Sequence, residues 1–423
     1  MTTLVLLVFI VGYLAIAFEH SIRVNKAAAA LLTGVLCWVL YTFQASSPEE
    51  SSHLLMEHFS GIASILFFLL GAMTIVELID SHGGFSLITK QIETRSKVRL
   101  LWIVTILAFF LSALLDNLTT TIVMLSLSGR MLSSKEDRWL FASMVVIAAN
   151  AGGAFSPIGD VTTTMLWIGG QISSGKIILL SFLPSIAVTL VPLLIVTPRL
   201  KGQEFSYTEV KHTNISSRES NIMLLSGVLL LLFVPVFKMI THLPPMMGMM
   251  FSLGILWVIV TFIHRGKPSD QKSKYSVSAA LQKIDSPSIL FFLGILLAIS
   301  ALESFGLLHQ LADYLSSTLG NNYSIGTALG VLSAVVDNVP LVAAAQGMYS
   351  LSDFAMDHPF WLFLALTTGT GGSIIIIGSA AGVAAMGIEK IDFMWYMKRI
   401  SWVALLGFLA GIAVFMAQQM LLS

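Results

Sequence analysis

Apolar segments close to the roughly 20 residues that a helix needs to cross a bilayer follow one another along almost the whole chain. Of 423 residues, 56% are hydrophobic and only 11% charged, against about 25% charged in ordinary soluble domains. Water cannot solvate such a chain; lipid must. Ten segments read as full crossings: 3–18, 25–43, 54–79, 139–169, 176–197, 221–239, 246–263, 287–303, 358–388 and 393–421. Two more, 98–131 and 324–350, are interrupted at their middles by Asp116-Asn117 and Asp337-Asn338. These read as re-entrant hairpins, which enter and leave the membrane on one side.

Lysine and arginine discriminate between hairpin and crossing. With both stretches as hairpins, Arg95, Lys97 and Arg99 fall on the same side as Arg130, Lys135 and Arg138, together with nearly every other basic residue; only Lys176 and Lys238 fall opposite. A single crossing at 98–131 would split the two clusters across the membrane, against the bias that keeps positive loops cytoplasmic. The hairpin reading puts both termini outside and opens the two hairpins to opposite sides, so the halves are inverted. The expected fold is an all-α polytopic membrane protein with about ten transmembrane helices, two opposed re-entrant hairpins and two broken helices. A bacterial inner membrane is the expected location. The first apolar run, Leu4 to Phe18, lacks a basic flank and a small-residue cleavage site and reads as a retained helix rather than a signal peptide.

An internal repeat supports the same division. SALLDN (Ser112 to Asn117) recurs as SAVVDN (Ser333 to Asn338), and GGAFSPIGD (Gly152 to Asp160) pairs with GGSIIIIGS (Gly371 to Ser379). Two ordered motifs at nearly one offset mark two copies of one unit. FFLLG at Phe67 to Gly71 and FFLG at Phe291 to Gly294 add a weaker echo. The first repeat is assigned to residues 1–198, a cytoplasmic linker to 199–220 and the second repeat to 221–423.

Glycine doublets and a proline inside an apolar span free backbone groups that lipid cannot satisfy, and such breaks persist where they line a site. A carboxylate at that depth costs about 3 kcal/mol unless it is protonated, paired or bound to a cation. Asp116, Asp160 and Asp337 are therefore the leading candidates for a site that binds Na+ and couples it to protons. Helix capping accounts for one aspartate at a turn; it explains the symmetric pair poorly, and it does not explain Asp160, whose counterpart is Ser379. Oxygen-bearing neighbours suited to a hard cation are Asn117, Thr119, Thr120, Asn150, Ser156, Thr162, Thr163, Asn338 and Ser373, with Ser112 and Ser333 one helical turn before each hairpin aspartate. For any one hydroxyl the competing role is a bond to its own helix carbonyl. Glu77 and Glu303 end matching helices and belong either to a proton path or to the solvated interface.

Equal totals of 23 acidic and 23 basic residues remove nucleic acid as a partner, because displacing its counterions needs a basic face. A single cysteine, Cys37, leaves no disulfide framework and no thiolate metal site. An intramembrane aspartyl protease would require a G-x-G-D context, whereas Pro157, Ile158 and Gly159 precede Asp160. No enzymatic chemistry and no cofactor are expected beyond the transported ions.

The paired S-A-x-x-D-N motifs and GGAFSPIGD followed by Val161, Thr162 and Thr163 resemble the NhaD sodium/proton antiporters. That family lies in the ion transporter superfamily that also holds arsenite permeases and divalent-anion/sodium symporters. The resemblance spans nearly the whole chain. It implies exchange of cytoplasmic Na+ or Li+ for external H+ by alternating access, a homodimer in lipid, a scaffold domain and a mobile transport domain. It places ion binding on Asp116, Asn117, Asp160, Thr162, Asp337 and Asn338. Three carboxylates favour a cation over the superfamily's anions. The competing readings are arsenite or another solute on the same fold, and a passive channel.

Overall fold

The computed structural model describes residues 1–17, 19–85, 94–132, 134–204 and 216–422. Lys90, Lys211 and linker residues 205–215 lie outside them. Among the described residues all regular structure is helical, apart from one isolated bridge between Ser96 and Glu204. Seven helices are long and apolar enough to cross a membrane, and shorter apolar helices complete the set.

The first half contains α1 (Thr2–Ala17), α2 (Lys26–Thr42), α3 (Pro48–Ser81), α4 (Lys97–Leu115), α5 (Asn117–Met131), α6 (Lys135–Ala154), α7 (Val161–Ile168) and α8 (Ser174–Val196). The second contains α9 (Ser217–Thr241), α10 (Pro245–Ile263), a short α11 (Val277–Lys283), α12 (Ser286–Ser304), α13 (Leu307–Leu319), α14 (Asn322–Leu332), α15 (Asn338–Met348), α16 (Pro359–Gly371), α17 (Ala380–Glu389) and α18 (Ser401–Leu422). Local chemistry sets many of the boundaries. Ser47 caps α3 with Pro48 at its first position, and Asn25 and Ser134 cap α2 and α6 through their side chains, satisfying N–H groups that the helix itself cannot.

Side-chain contacts identify both hairpins. At the start of α4, Lys97 pairs with Asp137 in the first turn of α6 at 2.7 Å. Because α5 ends just before α6 begins, α4 and α5 enter and leave at one end. Tyr323 at the start of α14 stacks edge-on against Phe363 of α16, and Tyr349, just after α15, stacks against Phe360. Both ends of the second hairpin therefore sit at the start of α16.

The hairpins open oppositely. Arg138 and the Trp139 indole at the start of α6 reach the Glu389 carboxylate and carbonyl at the end of α17. Gln171 beyond α7 bonds Gln346 of α15 and the backbone of Asp357. The broken helices α6–α7 and α16–α17 thus run antiparallel. One end of the bundle carries the lysines and arginines at positions 95–99, 135–138 and 265–283 and is called the basic end below.

The helices gather into two bodies that cut across the sequence halves. One packs α1, α2, α3, α9, α10 and α12 together; the other packs α4 to α8 with α14 to α18, and the two meet most extensively where α12 packs against α15. In the first, the backbones of α2 and α12 touch at Gly34 and Gly294, where an added methyl would meet main-chain atoms at 2.5 and 2.4 Å. Close approach at small residues is how membrane helices gain packing without a hydrophobic drive. Where the bodies meet, Trp167 of α7 stacks edge-on against Phe68 of α3, and its carbonyl accepts from Lys238 of α9 at 2.8 Å.

Candidate functional site

The repeat motifs fold into two matching clamps. Ser112 donates its hydroxyl to the Ala149 carbonyl of α6 at 2.6 Å, and Ser333 donates to Thr368 of α16 at 2.9 Å. A methyl at Gly152 would lie 2.0 Å from the Phe109 carbonyl oxygen, and one at Gly371 would lie 1.9 Å from that of Gly330. Only glycine permits these approaches. A methyl at Gly159 or Gly378 would lie 2.6 Å from the hairpin carbonyl oxygen of Ser112 or Ser333. Ser156 adds a bond to the Ala113 carbonyl at 2.5 Å. Each hairpin tip is thereby fixed against the break of its own half's discontinuous helix.

At the centre stands Asp160, 2% exposed, at the N-terminus of α7. Its Oδ1 accepts from the Thr162 N–H at 2.9 Å and hydroxyl at 2.8 Å. Its Oδ2 accepts from Asn117 Nδ2 of the first hairpin at 2.6 Å and Asn338 Nδ2 of the second at 3.5 Å. Asn150 joins the halves: its oxygen accepts from Asn117 at 3.0 Å, and its nitrogen donates to Ser373 and Ser379 hydroxyls, each at 2.9 Å. Ser379 caps α17 by accepting from Gly382, as Asp160 caps α7.

Asp116 and Asp337 occupy the hairpin turns. Asp116 accepts from the Thr119 N–H and hydroxyl, each at 2.8 Å, and Asp337 accepts from Val339 N at 3.2 Å. Asp116 has φ +82 and ψ 157, a backbone region that is nearly exclusive to glycine and costs about 1–3 kcal/mol. Such strain persists only where surrounding structure overdetermines it. Here α4 and α5 abut at this one residue.

The three candidate aspartates, Asp116, Asp160 and Asp337, take different places in the structure. Among the described residues no three acidic, histidine or cysteine side chains gather as a metal-binding group. Three bare carboxylates at ligand distance would repel strongly in a poorly screened interior. Instead the asparagines of both tips bond Asp160, while each tip aspartate folds back on its own turn. None of the ion pairs among the described residues includes these three acids. Of the remaining candidates, Thr163 donates to the Asp160 carbonyl at 2.9 Å, and the buried Thr120 hydroxyl has no hydrogen-bond partner among the described residues.

Cavities approach the hairpin turns from both ends. At the basic end, a cavity of about 450 Å³ bounded by Glu77, Asp80, Lys283 and Asp285 reaches Leu118 and Thr119, next to Asp116. A second, of about 350 Å³, meets Leu118 from the side of Glu19 and Lys26. Glu77 is paired with Lys283 at 2.8 Å at this mouth. At the other end, a cavity of about 480 Å³ is walled by Phe9, Leu302, Leu329 and other apolar residues. Tyr13 lies beside Asp337 there, and Glu303 packs near Gly347. Sequence patterning did not single out Tyr13, Lys283 or Asp285. Their relevance comes from the spatial approach of helices far apart in the chain, and no motif marks them.

Opposed hairpins and antiparallel broken helices converging on buried oxygen ligands define an inverted-repeat secondary transporter. The family described as citrate transporter matches residues 6–369. The chain is 48% identical over 413 residues to sodium/proton antiporter 1 of Arabidopsis thaliana, covering 97% of this chain and 71% of that protein. It is 30% identical to the Na(+)/H(+) antiporter NhaD of Alkalimonas amylolytica, covering 96% and 88%. Its fold is similar to that of the YdaH transporter of Alcanivorax borkumensis, with TM-score 0.54, 15% identity and 88% of each chain covered. The chain belongs to this family of ion transporters, alongside the NhaD antiporters.

Proposed function

We propose that the protein is a secondary active antiporter that exchanges Na+ or Li+ for H+ at the Asp160 centre. The observation that carries this reading is a buried carboxylate bonded by asparagines from both hairpins, with no cationic side chain among its partners. A citrate-like anion would meet carboxylates here and no counter-charge; a hard cation meets the oxygens it prefers. The relatives' names, sodium/proton antiporter and Na(+)/H(+) antiporter NhaD, support Na+ and H+ as the ions.

A mechanism follows. Asn117 and Asn338 present N–H groups to Asp160 Oδ2. Turning either amide by half a turn presents its carbonyl oxygen instead, exchanging a donor for a cation ligand. A proton on Asp160 and a cation beside it neutralise the same charge, so one excludes the other. Alternating exposure of a site that must hold one or the other yields exchange. Asp116 and Asp337 line the approaches from the basic end and the opposite end.

By the positive-inside bias the basic end faces the cytoplasm and both termini lie outside. We assign repeats 1–198 and 221–423 as units of this inversion, the body of α1, α2, α3, α9, α10 and α12 as scaffold, and a homodimer as the assembly in lipid. A bacterial inner membrane is the proposed setting. The plant relatives make a plant membrane the competing one, and membrane fractionation decides between them.

Proteoliposomes with an internal pH dye and an acid gradient test the reading. Na+ or Li+ added to the wild type dissipates the gradient, and Asp160→Asn, Asp116→Asn and Asp337→Asn do not respond. Absence of cation-dependent proton movement in the wild type between pH 6 and 9 refutes antiport and leaves solute transport as the reading to pursue.

A further inference from the structure

The basic end holds a cavity of about 410 Å³ that plays no part in the exchange site. It lies where α10 leaves the membrane, and its walls include Trp257, Val260, Phe262, Arg265, Lys272 and Ser276. These walls are of two kinds. Trp257 and Val260 lie along one face of α10, at the spacing that stacks side chains on a helix. Trp257 is 45% exposed and the neighbouring Phe262 64% exposed, and both line the cavity. The apolar span ends at Ile263. Arg265 stands two residues beyond it, and Lys272 approaches from a short helix, Ser269–Lys274, that precedes α11. Both are exposed, and neither has an ion-pair partner among the described residues. By contrast, the nearby Lys267 is held by Glu219 at 2.5 Å. Two unneutralised cations therefore share one concave space with exposed aromatic surface, at the depth where the hydrocarbon ends.

We propose that this cavity binds the headgroup of an anionic phospholipid, with Arg265 and Lys272 on the phosphate and an acyl chain along Trp257 and Phe262. A soluble anion would use the cations and leave the aromatic wall unused. A neutral lipid would use the wall and gain nothing from the cations. Basic pockets at the cytoplasmic level of membrane helices recognise anionic headgroups by this combination. Arginine adds a fork that matches two phosphate oxygens. The inference rests on the membrane position of α10 and not on which ion is exchanged.

Native mass spectrometry of the delipidated, full-length protein tests it with phosphatidylglycerol, phosphatidylcholine of the same chains, and soluble glycerol phosphate. Phosphatidylglycerol is expected to be retained at least tenfold better than the other two. Two surface cations contribute about fivefold each, so Arg265→Gln/Lys272→Gln lowers that retention by about thirtyfold. The equal charge change Lys398→Gln/Arg399→Gln, on exposed residues elsewhere at the membrane edge, leaves it unchanged. Should the double variant not purify, Lys272→Glu alone, at an exposed side chain, gives the same reading. Equal retention of phosphatidylcholine, equal retention of glycerol phosphate, or equal loss in the 398/399 control overturns the proposal. None of these outcomes bears on antiport, which the dye assay reads separately.

Discussion

Replacing Gly152 or Gly371 with alanine tests whether close contact between hairpin and broken helix builds the site. The added methyl would stand 2.0 Å from the Phe109 oxygen or 1.9 Å from the Gly330 oxygen, whereas ordinary contact begins near 3.4 Å. Each hairpin must therefore retreat by about 1.4 Å. Overpacking of this kind costs about 1–3 kcal/mol. The retreat also carries Asn117 or Asn338 away from Asp160, and a misplacement of about 1 Å in a working site costs roughly 100-fold in rate. Gly254→Ala on α10, which meets nothing within 4 Å, supplies the control, with a gain of up to about 1 kcal/mol from helix propensity. Thermal unfolding in detergent and Na+-driven dissipation of a proton gradient in liposomes are measured on the same preparations. Both clamp variants should lose nearly all exchange and unfold earlier, by similar amounts because the two contacts are nearly equal. Native unfolding together with native exchange in either one refutes the reasoning.

Three further outcomes are expected. Lys238→Met removes a charged donor from the Trp167 carbonyl, an interaction of about 1.5–3 kcal/mol. Loosening this contact between the two bodies should shift their balance, read as altered labelling of Ile122→Cys, which lines the basic-end cavity, in a Cys37→Ser background; unchanged labelling excludes a latch. Lys283→Gln leaves Glu77 unpaired at the cavity mouth and should lower the apparent Na+ KM about twofold at low ionic strength, an effect that fades within the screening of about 0.15 M salt. Beyond the ends of α3 and α10, His82 and His264 stack with Nε2 atoms 3.3 Å apart. Burial lowers the pKa of His82 and, with His82 and Lys267 adding to it and Glu219 opposing, pushes His264 down to about 4. The unfolded chain binds protons near pH 6.5 while the folded pair does not, so this stability is complete above about 6.5 and falls as pH drops toward 4. A thermal midpoint that declines over that window in the wild type, and less in His264→Gln, is the expected result; identical curves exclude the pair as the cause.

The sequence made the hairpins and broken helices legible because their signals are local. An Asp-Asn pair inside an apolar run and a glycine doublet four residues before a serine-proline break mark interruptions that lipid does not tolerate without a purpose. Charge sidedness then distinguished a hairpin from a crossing. Which acid would stand at the centre was not legible. Asp116, Asp160 and Asp337 look alike as sequence, and only the approach of Asn117 and Asn338 from opposite ends separates Asp160 from the turn-capping pair. The hydroxyls of Ser112 and Ser333 were candidates for the cavity lining, yet they hold the broken helices. One helical turn fixes which face a residue shares with its neighbour, not what that face meets. The strained backbone of Asp116 left no mark in composition, since aspartate also begins ordinary turns.

The two clamps also bear on how gating can occur. A re-entrant tip held only by apolar packing can swing like a flap and uncover its ligand alone. Here a swing of the first tip would break Ser112 from Ala149 and Ser156 from Ala113, stranding polar groups where water does not reach, at about 1–3 kcal/mol each. It would also pull apart backbones packed to the limit that glycine allows. The softer seam lies between the two bodies, at Phe68, Trp167 and Lys238 and along the apolar cavity near Tyr13. Under the proposed exchange, passage from one face to the other would then be a displacement of the whole hairpin-bearing body along that seam, with the ion's ligands travelling as one cassette.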